Sequence, residues 1–242
     1  MKMLVCLHGN PFQGQEFEPL LPKLVQEGFQ PIIHKRPVKG GKLEPLLQSI
    51  SATAKVSGGT PFGIMAYSWG AYLALAYFNR YPENVTSMIL INPLIIDLKP
   101  MACISQMMLK TPILKNLAMK FRKRSMAIQH VQRIFDPEKP NPETKQALES
   151  YLSQSSVWFG AAAYKKLMIS TPLLSRTSPI SIPVKIIYGE QDRLAPMEQQ
   201  KKILQDMCKG EEITVPNSGH ALPWTHPDLI VREVAQVNIG QD

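Results

Sequence analysis

Cysteine is scarce in this chain: Cys6, Cys103 and Cys208 are the only three in 242 residues. A small, odd number argues against a disulfide framework and for a reducing compartment. Cys6 sits in an apolar strand and Cys208 in an expected helix, and both read as core or near-core residues. Cys103 reads as packing. Long hydrophobic runs are missing too. No stretch approaches the roughly 18 apolar residues of a membrane span. The apolar start Met3–Leu7 is too short for a signal peptide, and no cleavage site follows it. The expectation is a cytoplasmic protein with no membrane span. There is no internal repeat and no low-complexity tract, and no module of a nucleic-acid-binding type.

Acidic residues are outnumbered by basic ones, 19 to 27, for a net charge of +8. The excess is local. Residues 97–176 hold 13 Lys and Arg against 5 Asp and Glu, and the rest of the chain balances. The densest run is Lys120-Phe121-Arg122-Lys123-Arg124. Such a run is either a solvated helix face or a surface that steers an anionic partner.

What is present is a rhythm of buried strands and amphipathic helices. The length suits one α/β domain, alone or with an insertion. Apolar strands are expected at Met3–Leu7, Phe29–His34, Pro61–Ala66, Val85–Asn92, Pro183–Tyr188 and Glu212–Val215. Helices are expected at Gln13–Glu27, Leu43–Val56, in the stretch after Ser68, at Met197–Cys208 and at Asp228–Val237. Strand–helix alternation is the mark of a parallel sheet covered by helices. The rhythm breaks from Pro93 to about Ser181, where helices are expected near Met101–Leu109, Ile113–Phe135, Glu143–Leu152 and Val157–Ile169. About half of the 12 methionines fall in that segment. Flexible, polarisable Met side chains suit either helix packing or a pocket for a variable acyl chain.

Three residues stand directly after strands and in one chain order. Ser68 lies in Ala66-Tyr67-Ser68-Trp69-Gly70, between an apolar strand and a helix. So sharp a turn needs small residues two positions to either side, and it lifts the hydroxyl clear of the sheet. Asp192 follows in Gly189-Glu190-Gln191-Asp192, and His220 in Ser218-Gly219-His220. The C-terminal ends of parallel strands share one edge, where sites form.

These motifs, with His8-Gly9-Asn10-Pro11 after the first strand, resemble the α/β-hydrolase superfamily over nearly all of the chain outside the insertion. The implied fold is α/β: a minimal, mostly parallel sheet of about six strands with helices on both faces. The core would be residues 1–96 and 182–242, and residues 97–181 a helical lid. The implied roles are Ser68 as nucleophile, His220 as base and then acid, and Asp192 as its orienting carboxylate. Backbone N–H groups of Trp69 and Asn10 would hold the oxyanion. Phe12, Trp158 and Leu222 are the expected substrate-binding side chains. Asp97, which also follows a strand, is a second candidate for the acid. His226 reads as a helix start and His8 as a prop for the oxyanion loop. His34 and His130 have no partner visible in the sequence. Trp69 either lines the pocket or packs. No metal or cofactor is implied. One departure from the family pattern is His34-Lys35-Arg36-Pro37, where relatives carry an Asp/Gly-rich turn.

A serine nucleophile excludes the haloalkane dehalogenase branch and argues against epoxide hydrolases. The expected reaction is cleavage of a carboxylic ester or thioester through an acyl-enzyme. A basic lid over an acyl tunnel is similar to the pimeloyl-carrier-protein methyl ester esterases of biotin synthesis. That likeness implies an acidic acyl carrier protein as partner, met by Arg122, Lys123 and Arg124. A plain carboxylesterase stands beside that reading. The alternatives are a lyase of the menaquinone-pathway type acting on an anionic small molecule, and a binding protein on the same fold.

Overall fold

A computed structural model describes residues 1–36, 42–57, 59, 61–95, 112–171 and 180–237, with the backbone alone for residues 112–123. Six strands form one sheet: β1 (Lys2–Leu7), β2 (Phe29–His34), β3 (Phe62–Tyr67), β4 (Val85–Ile91), β5 (Val184–Gly189) and β6 (Glu211–Val215). All pairings are parallel, in the order β2-β1-β3-β4-β5-β6. The inner strands are buried on both faces, which is why they read as unbroken apolar runs.

Alternate residues of each strand feed two cores. Val5, Leu7, Ile64, Ala66, Leu90 and Ile186 face one, with side chains of α2 (Leu43–Val56) and α3 (Trp69–Arg80). Leu4, Cys6, Met65, Ile89 and Ile187 face the other, with α1 (Leu21–Gln26) and the closing helix Pro227–Gln236. Between β4 and β5 run α4 (Pro112–Phe135), α5 (Pro142–Leu152) and α6 (Ser155–Ser170). Ala127, Val131 and Leu148 of α4 and α5 join the second core, whereas Tyr164 and Leu167 of α6 join the first. The later helices are α7 (Met197–Leu204), α8 (Leu222–Thr225) and α9 (Pro227–Gln236). No helix among the described residues is long and apolar enough to cross a membrane.

The expected helix Gln13–Glu27 is a 3-10 turn at Gln15–Phe17 followed by the short α1. Pro19 and Pro22 lack the N–H that an unbroken helix would need, and Pro22 is tolerated only because it enters the first turn of α1. The expected Met197–Cys208 helix stops at Leu204, and Cys208 pairs instead in an isolated bridge with Ile180. The helix expected near Met101–Leu109, and Cys103 within it, lie outside the described residues.

Candidate active site

Ser68 is the hinge between β3 and α3. Its φ of 53° and ψ of −121° put it in the left-handed half of backbone space, where a side chain costs on the order of 1–3 kcal/mol. Three hydrogen bonds hold it there. Its N–H donates to the Ile91 carbonyl at 2.9 Å, and its carbonyl accepts from Ala71 and Leu94, each at 3.0 Å. The flanking positions are as tight as the turn demands. A Cβ on Gly70 would sit 2.0 Å from the Leu7 carbonyl oxygen, and Ala66 is fully buried.

Asp192 and His220 come from the loops after β5 and β6. Those loops touch backbone to backbone: a Cβ on Gly189 would lie 2.1 Å from the Gly219 carbonyl oxygen. Gln191 N–H donates to the Ser218 carbonyl at 2.9 Å. One Asp192 oxygen accepts from the amides of Leu194 and Ala195 at 2.8 and 2.9 Å. The other lies 2.5 Å from His220 Nδ1. His220 Nε2 is 2.9 Å from Ser68 Oγ, and all three residues are buried. With the proton on Nδ1 and directed at the carboxylate, the lone pair of Nε2 faces the serine hydroxyl.

Asn92, the residue after β4, ties the loops together. It too is left-handed, with φ 41°. Its Oδ1 accepts from Gly189 N–H at 2.6 Å, and its Nδ2 donates to the carbonyls of Gly219 and His220 at 3.0 and 2.9 Å. The Tyr67 hydroxyl donates to the same His220 carbonyl at 2.8 Å. Neither role is visible in the sequence, where Asn92 ends an apolar run and Tyr67 merely precedes the serine.

On the other side of Ser68 lies a cluster that sequence reasoning missed. Arg36, 4% exposed, packs against the paired rings of Trp69 and Tyr164, its guanidinium carbon 4.5 and 4.7 Å from their centroids. Its Nη2 donates to the carbonyls of Gly9 and Phe12, at 2.5 and 3.3 Å. Its Nε donates to His8 Nε2 at 3.1 Å. That leaves His8 Nδ1 to donate to the Gly9 carbonyl, 3.0 Å away. Burial, and then the Arg36 charge, hold His8 well below the ordinary histidine pKa, so the ring is neutral. Gly9 N–H donates to the buried carboxyl of Glu16 at 2.5 Å, and burial pushes that carboxyl up to about 7. Arg36 therefore sets the shape of the His8–Asn10 loop. The only sequence signal was that its motif departs from the family turn.

A cavity of about 110 Å³ adjoins this loop, lined by Asn10, Gln13, Arg36, Gln154, Ser156 and Tyr164 among others. The Trp69 ring packs against Tyr72 and Tyr164 as well as Arg36. Phe12 and Leu222 are buried in the core that contains α9, Phe12 meeting Trp224 edge to face. Trp158 donates its indole N–H to the Leu152 carbonyl at 2.6 Å and meets His130 edge-on. None of Phe12, Trp158 or Leu222 lines the cavity. His34 Nε2 is 2.8 Å from Ser49 Oγ, and His226 lies near Ser218 and Glu138, away from Ser68. Arg124 is exposed. Asp97, and the side chains of Arg122 and Lys123, lie outside the described residues.

A serine on a strained strand-to-helix turn, with histidine and aspartate from the next strands of a parallel sheet, defines an α/β-hydrolase type of molecule. The chain belongs to the alpha/beta hydrolase fold family, whose profile matches residues 55–227. It is 21% identical to the AB hydrolase superfamily protein YisY of Bacillus subtilis (strain 168), over 96% of this chain and 90% of that one. Its fold is shared by an esterase from Thermogutta terrifontis at TM-score 0.79 and 16% identity, covering 97% and 88% of the two chains. The epoxide hydrolase CorEH is similar at TM-score 0.76 and 16% identity, over 98% and 91%. At such identities the likeness concerns the fold, and this fold carries more than one reaction.

Proposed function

We propose that the protein is a serine hydrolase that cleaves a carboxylic ester or thioester. One observation carries the reading: Ser68 Oγ lies 2.9 Å from His220 Nε2 while Asp192 holds the other ring nitrogen. Ser68 attacks the acyl carbon and its proton passes to His220 Nε2. Asp192 stabilises the imidazolium that results. The tetrahedral oxyanion is received by the amide N–H groups of Trp69 and Asn10; neither donates to another described residue. His220 then protonates the leaving alkoxide or thiolate. A water, deprotonated by the same imidazole, hydrolyses the acyl-enzyme. Helices α4 to α6 act as the lid.

The test is hydrolysis of p-nitrophenyl esters from acetate to decanoate. Ser68→Ala is expected to lower kcat/KM by about 10⁴-fold or more while leaving the circular dichroism spectrum unchanged. A fluorophosphonate should label the wild type and not the variant. Absence of both turnover and labelling in folded protein would sink the esterase reading and favour a binding protein.

The carrier-protein partner rests on the charge of the run at 120–124 alone. Reversing Arg122, Lys123 and Arg124 to Glu is expected to raise KM about 10-fold for an ester borne on an acidic acyl carrier protein, with no change for a free p-nitrophenyl ester. An equal effect on both substrates would remove the carrier from the account.

A further inference from the structure

The cavity beside Asn10 has an unusual balance of charge. Among the described residues Arg36 is the only ionised side chain that lines it, and no carboxylate does. The guanidinium is buried, and among the described residues it forms no ion pair. The rings of Trp69 and Tyr164, in contact with each other, pack against it, and its Nε and Nη2 are spent on His8, Gly9 and Phe12. The third nitrogen, Nη1, is buried and has no hydrogen-bond partner among the described residues. Burial draws the guanidinium pKa down to about 10, so it is still a cation at neutral pH. An unpaired buried charge with an idle donor is costly unless something completes it.

A second, independent feature meets the first. Gln154, Ser156 and Val157, which also line the cavity, are the cap and first turn of α6. This helix has 16 residues, and no side chain caps its N-terminus. The amides of Gln154 and Val157 donate to the carbonyls of Tyr151 and Gln154, so the Ser156 amide and the positive end of the helix dipole are what this terminus offers to the space that Arg36 lines. The volume, about 110 Å³, is several times the ~10–15 Å³ that admits one water. Ser68 does not line the cavity, but Asn10 does, and the amide of Asn10 belongs to the oxyanion loop.

We propose that this cavity is a carboxylate subsite, in which Arg36 and the N-terminus of α6 receive the far end of an acyl chain that itself ends in a carboxylate. The substrate class is then the monoester of a dicarboxylic acid. The inference rests on the ester-hydrolase reading for its reaction, and on the cavity alone for its ligand. Arg36 is a specificity residue here as well as a prop of the loop.

Two measurements separate the roles. In the first, kcat/KM is compared for p-nitrophenyl esters of four to eight acyl carbons ending in carboxylate or in methyl. The wild type is expected to prefer the carboxylate form at least 10-fold at its best length. Arg36→Gln should abolish that preference, and Arg36→Lys should restore part of it. Ser156→Asp, which places an anion at the cavity without replacing Arg36, should abolish it too. A wild type that favours methyl-ended esters at every length overturns the proposal. So does an Arg36→Gln variant that loses the same factor on both series, because that is a structural role only.

In the second, folded Ser68→Ala protein is titrated with dicarboxylates by calorimetry, with the matching monoamides as controls. Dicarboxylate binding that weakens at least 10-fold in the Ser68→Ala/Ser156→Asp double variant supports the subsite even if no ester is turned over, in which case the hydrolase reading fails alone. Equal binding of acid and amide overturns the subsite and leaves the hydrolase reading standing.

Discussion

Two clusters of buried charge flank Ser68, and they manage the cost of burial in opposite ways. On the acid side, Asp192 and His220 form a close pair at 2.5 Å, and every remaining oxygen of the aspartate is satisfied by backbone amides. On the side of the His8–Asn10 loop no such pair is found among the described residues. Arg36 leans on carbonyl oxygens and aromatic faces, His8 is neutral, and Glu16 is pushed toward its protonated form. Pairing makes the first cluster self-sufficient. The second is complete in its packing and incomplete in its charge. One edge of one sheet thus holds a balanced charge system beside an unbalanced one.

The comparison can be broken at its strongest point. Asp192→Asn keeps the shape of the acid side but removes its charge and favours the wrong tautomer of His220. It is expected to lower kcat by about 10⁴-fold, read on any accepted p-nitrophenyl ester. A loss below about 10-fold would mean that the pair does not govern His220 and that another acid serves, with Asp97 the first to replace next.

Asn92→Ala attacks the scaffold of the same side. It removes three hydrogen bonds and leaves two buried carbonyls and one buried amide without this partner. The cost is about 3 kcal/mol, seen as a lower urea midpoint. The His220 carbonyl still has the Tyr67 hydroxyl, so residual activity should exceed that of Asp192→Asn.

Glu16 tests the other side. Its folded pKa, about 7, lies above the ordinary 4.5, because burial disfavours the carboxylate. Between those values the folded chain keeps a proton that the unfolded chain has released. The stability from protonated Glu16 is therefore present below about pH 4.5 and lost as pH rises through about 7, a change of about 3 kcal/mol at most. Glu16→Gln should remove that component when urea unfolding is compared at pH 5 and pH 8. An unchanged difference between the two pH values would show that Glu16 is ionised in the fold and that Arg36 has a charge partner after all.

The acid side was readable in the sequence; on the other side the His8–Asn10 loop was read, but the Arg36 and Glu16 that hold it were not, for a physical reason. Ser68, Asp192 and His220 each follow a buried strand, and each sits in a short loop whose small residues are demanded by backbone contact, as at Gly70 and Gly189. Local chemistry announces them. Doubly buried strands such as β3 and β4 announced themselves in the same way, as continuous apolar runs. Arg36 and Asn92 act by reaching across strands to backbone atoms distant in the chain, and Glu16 acts by folding back on the Gly9 amide, seven residues before it. A buried arginine in a Lys/Pro/Gly-rich stretch looks like a solvated one until the sheet is assembled. The helix expected across Gln13–Glu27 failed for a more ordinary reason: its apolar spacing was right, and its prolines at 19 and 22 were given too little weight against it.

The insertion returns to the core through a tight seam. The Asp136 carbonyl at the end of α4 sits where a Cβ on Gly219 would be, 2.0 Å away, and Arg193 reaches the Asp136 carboxylate at 2.7 Å. Glu138 lies 3.4 Å from the Gly219 amide and 3.6 Å from His226. The end of α4 is thus built into the loop that carries His220. Exchange of the segment between β4 and β5 among relatives of a shared fold is constrained at this point. A transplanted segment would have to arrive together with the histidine loop it rests on, so in this chain the two can change only as one unit.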